Sequence, residues 1–235
     1  MEEDFEFKPP SEERVRRRAW VMSSVICRSF LETYDVSEAE NLRSNIVNWI
    51  DDMELYPEFE PWEIQTIEAE IGTLERQTVV NGTWRSEGLV VLAWSLNATT
   101  LPPHDYMVDP SEVANSVFFL AEDAKDRSRE LTLRSEEELE RFADIQLALH
   151  WRIRDFSLRP RSMDFREFAE TAWFGPLNID GISLAEDDLA IDGVPISKAP
   201  SDRVYQCQSI VMERHQAINW LRGDQATYSE VDTST

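Results

Sequence analysis

Three segments of this sequence place ionisable and aromatic side chains inside otherwise apolar stretches, and they contain the residue types that acid–base chemistry requires. The segments are residues 84–87, 150–155 and 213–220. A histidine and a partly buried carboxylate can both titrate near neutral pH, so such groups can exchange protons with a substrate. If the segments converge, the candidate catalytic cluster consists of Glu87, His150, Glu213 and His215.

The same segments also predict a structural network, because each of them places an arginine beside a carboxylate. A buried charge without a partner costs several kcal/mol, so packed helices that carry charges need such pairs. The sequence favours this interpretation over catalysis. The predicted ion-pair network consists of Arg85, Glu87, Arg154, Asp155, Glu213 and Arg214.

Other catalytic patterns are missing from the sequence. The three histidines, His104, His150 and His215, show no pair at the three- or four-residue spacing of a helical metal site. No Gly-x-Ser-x-Gly nucleophile turn occurs, and the seven glycines form no phosphate-binding loop. We therefore predict no metal and no cofactor.

An arginine-rich segment at residues 151–166 stands out in an acidic chain. Guanidinium groups bind phosphates and carboxylates through paired hydrogen bonds, which makes Arg152, Arg159 and Arg161 candidates for anion binding. The alternative, which the sequence favours, is that these arginines neutralise the protein's own carboxylates.

Helical periodicity dominates the elements that would position these residues. Apolar side chains recur every three to four residues in most of the chain, and N-cap residues precede several of the repeats. Helix-start signals occur at Ser11, Ser37, Pro61, Asp109 and Ser135. Further helices are predicted over about 84–97, after a turn at Asn81 and Gly82, over about 136–157, and over about 202–222.

Residues 179–197 follow a different pattern, in which apolar and polar side chains alternate as in a strand. Asp192 and Gly193 are typical of a tight hairpin turn, and Pro195 favours an edge strand. The predicted fold is therefore mainly α, a single multi-helix domain over residues 1–235. A small β-hairpin flap, at about 179–197, is inserted before the C-terminal helix.

The net charge and the apolar content of the chain limit the kinds of molecule that it can bind. The net charge of −23 repels nucleic acid and anionic membranes, and it attracts a basic protein. The longest apolar runs, 89–94 and 117–121, are far shorter than the roughly 20 residues that span a bilayer. The N-terminus has no apolar signal core, so we expect a cytoplasmic protein that binds neither membranes nor nucleic acid.

The polar motifs also resemble those of a known family, the bacterial domain-of-unknown-function family numbered 4272. The resemblance extends from the first helix to the end of the chain and is most specific near the C-terminus. The residues that carry it are Trp84-Arg85-Ser86-Glu87, Leu92-Ala93-Trp94, Leu133-Arg134-Ser135, His150-Trp151, Arg154-Asp155, residues 188–196, Glu213-Arg214-His215, Ala217, Asn219-Trp220-Leu221 and Val231-Asp232-Thr233. The resemblance implies a mostly helical intracellular protein and implies no activity.

Two functions follow as expectations. The first is a non-enzymatic, acidic, partner-binding protein, such as an immunity-type antidote or a regulatory accessory protein that binds a basic partner. The alternative is an enzyme of unknown reaction that uses the acid–base cluster.

Overall fold

The computed structural model describes residues 8–235, and 62% of the structure is helical. The prediction of a mainly α fold with a small β-element before the last helix is confirmed. The α-helices of residues 8–235 are α1 Glu12–Phe30, α2 Val36–Asp52, α3 Pro61–Glu68, α4 Arg76–Ser95, α5 Pro110–Ser116, α6 Ala124–Arg127, α7 Glu136–Leu158, α8 Phe165–Thr171 and α9 Ser201–Arg222. The strands are β1 Leu184–Ala185, β2 Asp188–Ile191 and β3 Val194–Pro195.

The described chain forms two compact units. The N-terminal unit comprises residues 10–101 and 108–134, and the C-terminal unit comprises residues 8–9, 102–107 and 135–235. The single domain over residues 1–235 stays a prediction.

Most of the predicted helix starts are confirmed by hydrogen bonds. The Ser11 hydroxyl accepts from the Arg14 amide at 3.3 Å, and the Asp109 carboxylate accepts from the Ser111 amide at 2.8 Å. Ser135 forms a reciprocal capping box with Glu138 at the start of α7. The start predicted at Ser37 is wrong, because α2 already begins at Val36.

The N-terminal unit is built on the packing of α1 against α4. Apolar side chains of both helices, including Val21 and Val25 on α1 and Leu89 and Leu92 on α4, are buried. Burial of apolar area at such an interface is the main favourable term in folding. A second contact layer consists of Trp20, Trp49 and Phe119, whose rings meet edge to face.

The turn predicted at Asn81 and Gly82 is wrong, because α4 runs through both residues. A Cβ atom on Gly82 would overlap with the Ser29 hydroxyl oxygen of α1 and would lie 3.1 Å from the Ser29 Cβ. Glycine is therefore present because α1 approaches closely at this point, and not because the chain turns. The helical cost of a glycine, about 1 kcal/mol relative to alanine, is offset by this close packing.

In the C-terminal unit, α7 packs antiparallel to α9. The direction follows from cross-helix pairs in which residue numbers rise on one helix as they fall on the other, such as Glu140 with Arg222 and Ser157 with Gln208. The core between these helices and the sheet contains Leu149, Ile153, Phe165, Leu189, Ile191, Ile196, Cys207 and Val211.

The sheet has the strand order β1-β2-β3, and both strand pairs are antiparallel. β2 is the buried central strand, and β3 with Pro195 lies at the edge, as the sequence predicts. Asp192 and Gly193 have φ values of 51° and 79°. Positive φ at both positions is typical of the tight turn that joins two strands of a hairpin.

Replacement of Gly82 by alanine tests the close approach of α1 to α4. Although alanine has the higher helix propensity, we expect Gly82→Ala to lower the free energy of unfolding by about 1–3 kcal/mol, because the added methyl group overpacks the contact with Ser29. Urea denaturation of the single variant, of Ser29→Ala and of the double variant measures the effect. The double variant is expected to recover part of the loss; a stabilised single variant would contradict the account.

Candidate functional site

The histidines of the predicted acid–base cluster meet across α7 and α9. His150 Nδ1 and His215 Nδ1 lie 2.9 Å apart, and each residue is only 4% exposed. The two imidazole rings are nearly perpendicular, at 86°. One Nδ1 must donate and the other must accept, so the pair requires opposite tautomers at these two atoms.

Burial keeps both members of this histidine pair neutral. Burial and the charge of Arg154 lower the pKa of His150 from 6.5 to about 4. Burial, His150 and the charge of Arg222 lower the pKa of His215 to about 4. A general acid or base works best when its pKa lies near the working pH, and these values lie well below neutrality.

The two glutamates of the predicted cluster, Glu87 and Glu213, belong to different units. Glu213 is buried on α9, two residues before His215. Glu87 belongs to the N-terminal unit, where it is fully buried in α4 and one carboxylate oxygen accepts from the Val108 amide at 2.9 Å. Arg85, two residues before Glu87 in α4, lies over the ring of Trp62 at 5.5 Å from its centroid.

Arg214 holds the segment 102–107 within the C-terminal unit. Its guanidinium donates to the carbonyl oxygens of Pro102 and Pro103, each at 3.0 Å, and to that of Tyr106 at 2.9 Å. In the same segment, His104 Nε2 donates to the carbonyl oxygen of Ala190 at 2.8 Å. Burial lowers the pKa of His104 below its usual value of 6.5.

A buried ion pair joins α7 to β2. Arg152 donates to both carboxylate oxygens of Asp188 at 2.7 Å, and both side chains are almost completely buried. Arg152 also lies 3.5 Å from the carboxylate of Asp155, and the exposed Arg159 approaches the same carboxylate at 3.5 Å. Of the three anion-binding candidates, Arg159 and Arg161 are exposed and Arg152 is committed to this pair.

An exposed aromatic surface on the C-terminal unit was missed by the sequence analysis. We call Trp151, Phe168, Trp173 and Phe174 the aromatic surface. Trp151 stacks on Phe168 with ring centroids 4.3 Å apart and 11° between the planes. Trp173 is 89% exposed and meets Phe174 edge to face at 5.3 Å. The available signal was the pair Trp173 and Phe174 directly after the short helix α8.

Within residues 8–235, no group of three or more histidine, cysteine, aspartate or glutamate side chains could hold a metal ion. Both cysteines, Cys27 and Cys207, are free thiols. Over the same residues, none of the helices combines the length and the apolar character that crossing a membrane requires.

Comparison with protein families gives one match. The model of a domain of unknown function, DUF4272, matches residues 1–166, which is more than half of the chain. The chain belongs to the DUF4272 family. Comparisons of the same chain with curated proteins and with solved structures found no match.

The family match ends shortly after α7, so the sheet and α9 of this DUF4272 protein lie beyond the matched residues. Glu213, Arg214 and His215, which carry the most specific part of the resemblance in sequence, are therefore outside the match. Within the matched part, Glu87, His150 and Arg152 are all buried.

The three histidines provide a direct test of the site's electrostatics. Burial lowers the folded-state pKa of all three, and because it lowers those of His150 and His215 to about 4, we expect the Hε1 NMR signals of these two to stay constant between about pH 8 and 6. The signals of His150 and His215 should move only near pH 4. The unfolded chain takes up protons first as the pH falls, so stability is fully present above about pH 6.5 and is lost toward pH 4. The loss is at most about 1.4 kcal/mol per pH unit for each histidine. A midpoint near 6.5 for either member of the pair would contradict the geometry.

Substitutions of two adjacent aspartates of the DUF4272 protein compare the stability contributed by a buried ion pair with that contributed by an exposed one. Asp188→Asn leaves Arg152 without its bidentate partner in the core, and we expect a loss of about 3–5 kcal/mol in the free energy of unfolding. The control is Asp187→Asn, which affects only the exposed pair with Arg166 and should change stability by about 0–1 kcal/mol. Equal effects in urea denaturation would contradict the assignment.

Proposed function

We propose that this protein is a non-enzymatic, cytoplasmic binding protein that holds a basic protein partner on the aromatic surface, in the manner of an immunity-type or regulatory accessory protein. The observation that carries the proposal is the 89% exposure of Trp173. Tryptophan is among the residue types that contribute most to binding at protein interfaces, and a fully exposed one is a ready anchor.

The geometry beside Trp173 favours binding, because the neighbouring rings form a packed layer. Phe174 touches Trp173 on one side and lies 5.9 Å from the ring of Trp151 on the other. The stack of Trp151 on Phe168 fixes this layer against the core residue Phe165. A side chain that is already positioned loses less conformational entropy when a partner binds.

Charge supports a basic partner. The exposed carboxylates of Glu167 and Glu170 lie on α8, three to six residues before Trp173 in the sequence. The whole chain carries a net charge of −23. Such a field speeds the encounter with a positively charged protein and discourages an acidic one.

The histidine pair supports binding more than catalysis. His150 and His215 are buried, neutral at pH 7 and hydrogen-bonded to each other, so neither presents a titrating group to a substrate. General acid–base catalysis, the chemistry predicted for this cluster, needs a titrating group within hydrogen-bond reach of the proton that is transferred.

The test is affinity capture from the native host with the protein as bait, followed by mass spectrometry. We expect the wild-type chain to capture a basic protein at low salt, and Trp173→Ala to weaken this capture at least tenfold. The matched control is Tyr205→Ala, which removes a side chain of 67% exposure on α9 and should leave the capture unchanged.

Salt provides the second arm of the same experiment. Raising the ionic strength screens exposed charges, so capture should fall between about 0.05 and 0.3 M salt. Double substitution of Glu167 and Glu170 by glutamine should reduce the salt dependence. An acidic partner, or a partner captured equally well by Trp173→Ala, would refute the proposal.

A further inference from the structure

A pocket of about 570 Å³ opens on the N-terminal unit, independently of the aromatic surface. Its walls come from the last two turns of α1, the turn at residues 31–34, Leu42 of α2, α5, and the segment 119–120. This volume lies within the range of roughly 300–1,000 Å³ that is typical of small-molecule sites. We propose that this pocket binds a small uncharged molecule, made of an apolar chain or ring with a single hydroxyl or amide group.

The chemistry of the lining is the first argument. All fourteen lining residues are uncharged, although charged residues make up 29% of the chain. A charged ligand would lose its hydration in this pocket without gaining an ion pair from the lining. An uncharged ligand avoids this penalty.

The pocket has an apolar floor and polar side chains on the α5 side of its rim, which is the second argument. The floor contains Ile26 and Leu31, both almost completely buried, and the floor hydroxyl of Ser23 already donates to the Ala19 carbonyl at 2.8 Å. The exposed side chains of Ser111 and Asn115 lie on α5, at the surface of the unit. A ligand with one polar end can therefore bury its apolar part and leave its hydrogen-bonding group at the rim.

Backbone conformation is the third argument. Phe118 and Leu120 have φ values of 62° and 60°, a region that large side chains rarely occupy. Strained residues of this kind cluster at ligand-binding segments, where the surrounding structure holds them in place. Leu120 lines the pocket and is 39% exposed.

The surrounding structure that holds this strained segment is visible. The ring of Phe119 meets Trp49 edge to face at 5.1 Å. Trp49 in turn meets Trp20 at 5.7 Å, and Trp20 Nε1 donates to the Val117 carbonyl at 2.7 Å. Aromatic contacts and a buried hydrogen bond thus fix the wall in the conformation that leaves the pocket open.

The free thiol of Cys27 lines the pocket and can report on its occupancy. The other thiol, Cys207, is buried in the C-terminal unit. The probe ligand is 1-octanol, and its charged relatives octanoate and octylammonium test the requirement for an uncharged head. We expect saturating 1-octanol to slow the alkylation of Cys27 by N-ethylmaleimide at least fivefold, with the modified residue located by mass spectrometry.

A variant that fills the pocket tests the location by a second measurement. Ala114 lines the pocket on α5, so Ala114→Trp should bind the neutral dye Nile red, which 1-octanol displaces from the wild type, at least tenfold more weakly. The control is Ala98→Trp, at a half-buried alanine of the same unit that does not line the pocket. This control variant should bind the dye as tightly as the wild type does.

Each outcome decides the proposal. Slower alkylation of Cys27, together with at least tenfold weaker binding of octanoate and octylammonium, supports it. Unchanged alkylation in the wild-type chain overturns it, and this measurement needs no variant to fold. Equal binding of the charged and uncharged probes, or equal dye binding by Ala114→Trp and the wild type, also overturns it.

Discussion

The burial of arginine guanidinium groups is the constraint on which both units depend. A guanidinium remains charged at any physiological pH, and it needs hydrogen-bond acceptors from the protein when water is removed. Four arginines are almost completely buried within residues 8–235, and each one has protein acceptors in its own unit. They are Arg18 with Glu63, Arg28 with Glu32 and two carbonyl oxygens, Arg152 with Asp188, and Arg214 with three carbonyl oxygens.

These contacts determine where the irregular parts of the chain lie. Arg28 donates to the carbonyl oxygens of Ala69 and Glu70, just after α3. Arg214 does the same for the segment 102–107, and Asp188, the partner of Arg152, also accepts from the Met163 amide before α8. Buried arginines therefore hold irregular segments in place by hydrogen bonds to their backbone carbonyl oxygens.

Much of the fold could be predicted from sequence, because its signals are local. Ser11, Asp109 and Ser135 start helices through hydrogen bonds to amides two or three residues away, and Asp192 with Gly193 forms its turn within the hairpin. Gly82 could not be predicted in the same way. Its role depends on Ser29, which is 53 positions away and becomes a neighbour only when α1 packs against α4.

The candidate site shows the same division between local and tertiary information. Sequence spacing placed His150 and His215 on helices that could converge, and the structure brings the two together. The pKa of both depends on burial, which the sequence does not specify, so their protonation state could not be inferred. Trp173 was missed because a tryptophan usually indicates core, and only the folded chain shows that this ring points into solvent.

Hydrogen–deuterium exchange of an Arg214→Gln variant tests most directly whether buried guanidinium groups hold the irregular segments. Loss of its donors to three carbonyl oxygens should increase exchange at the amides of residues 104–107, while exchange within α7 stays at the wild-type level. The control is Arg222→Gln, which changes an exposed arginine of the same helix and should leave hydrogen exchange in both regions unchanged. Unchanged protection of residues 104–107 in Arg214→Gln would contradict the account.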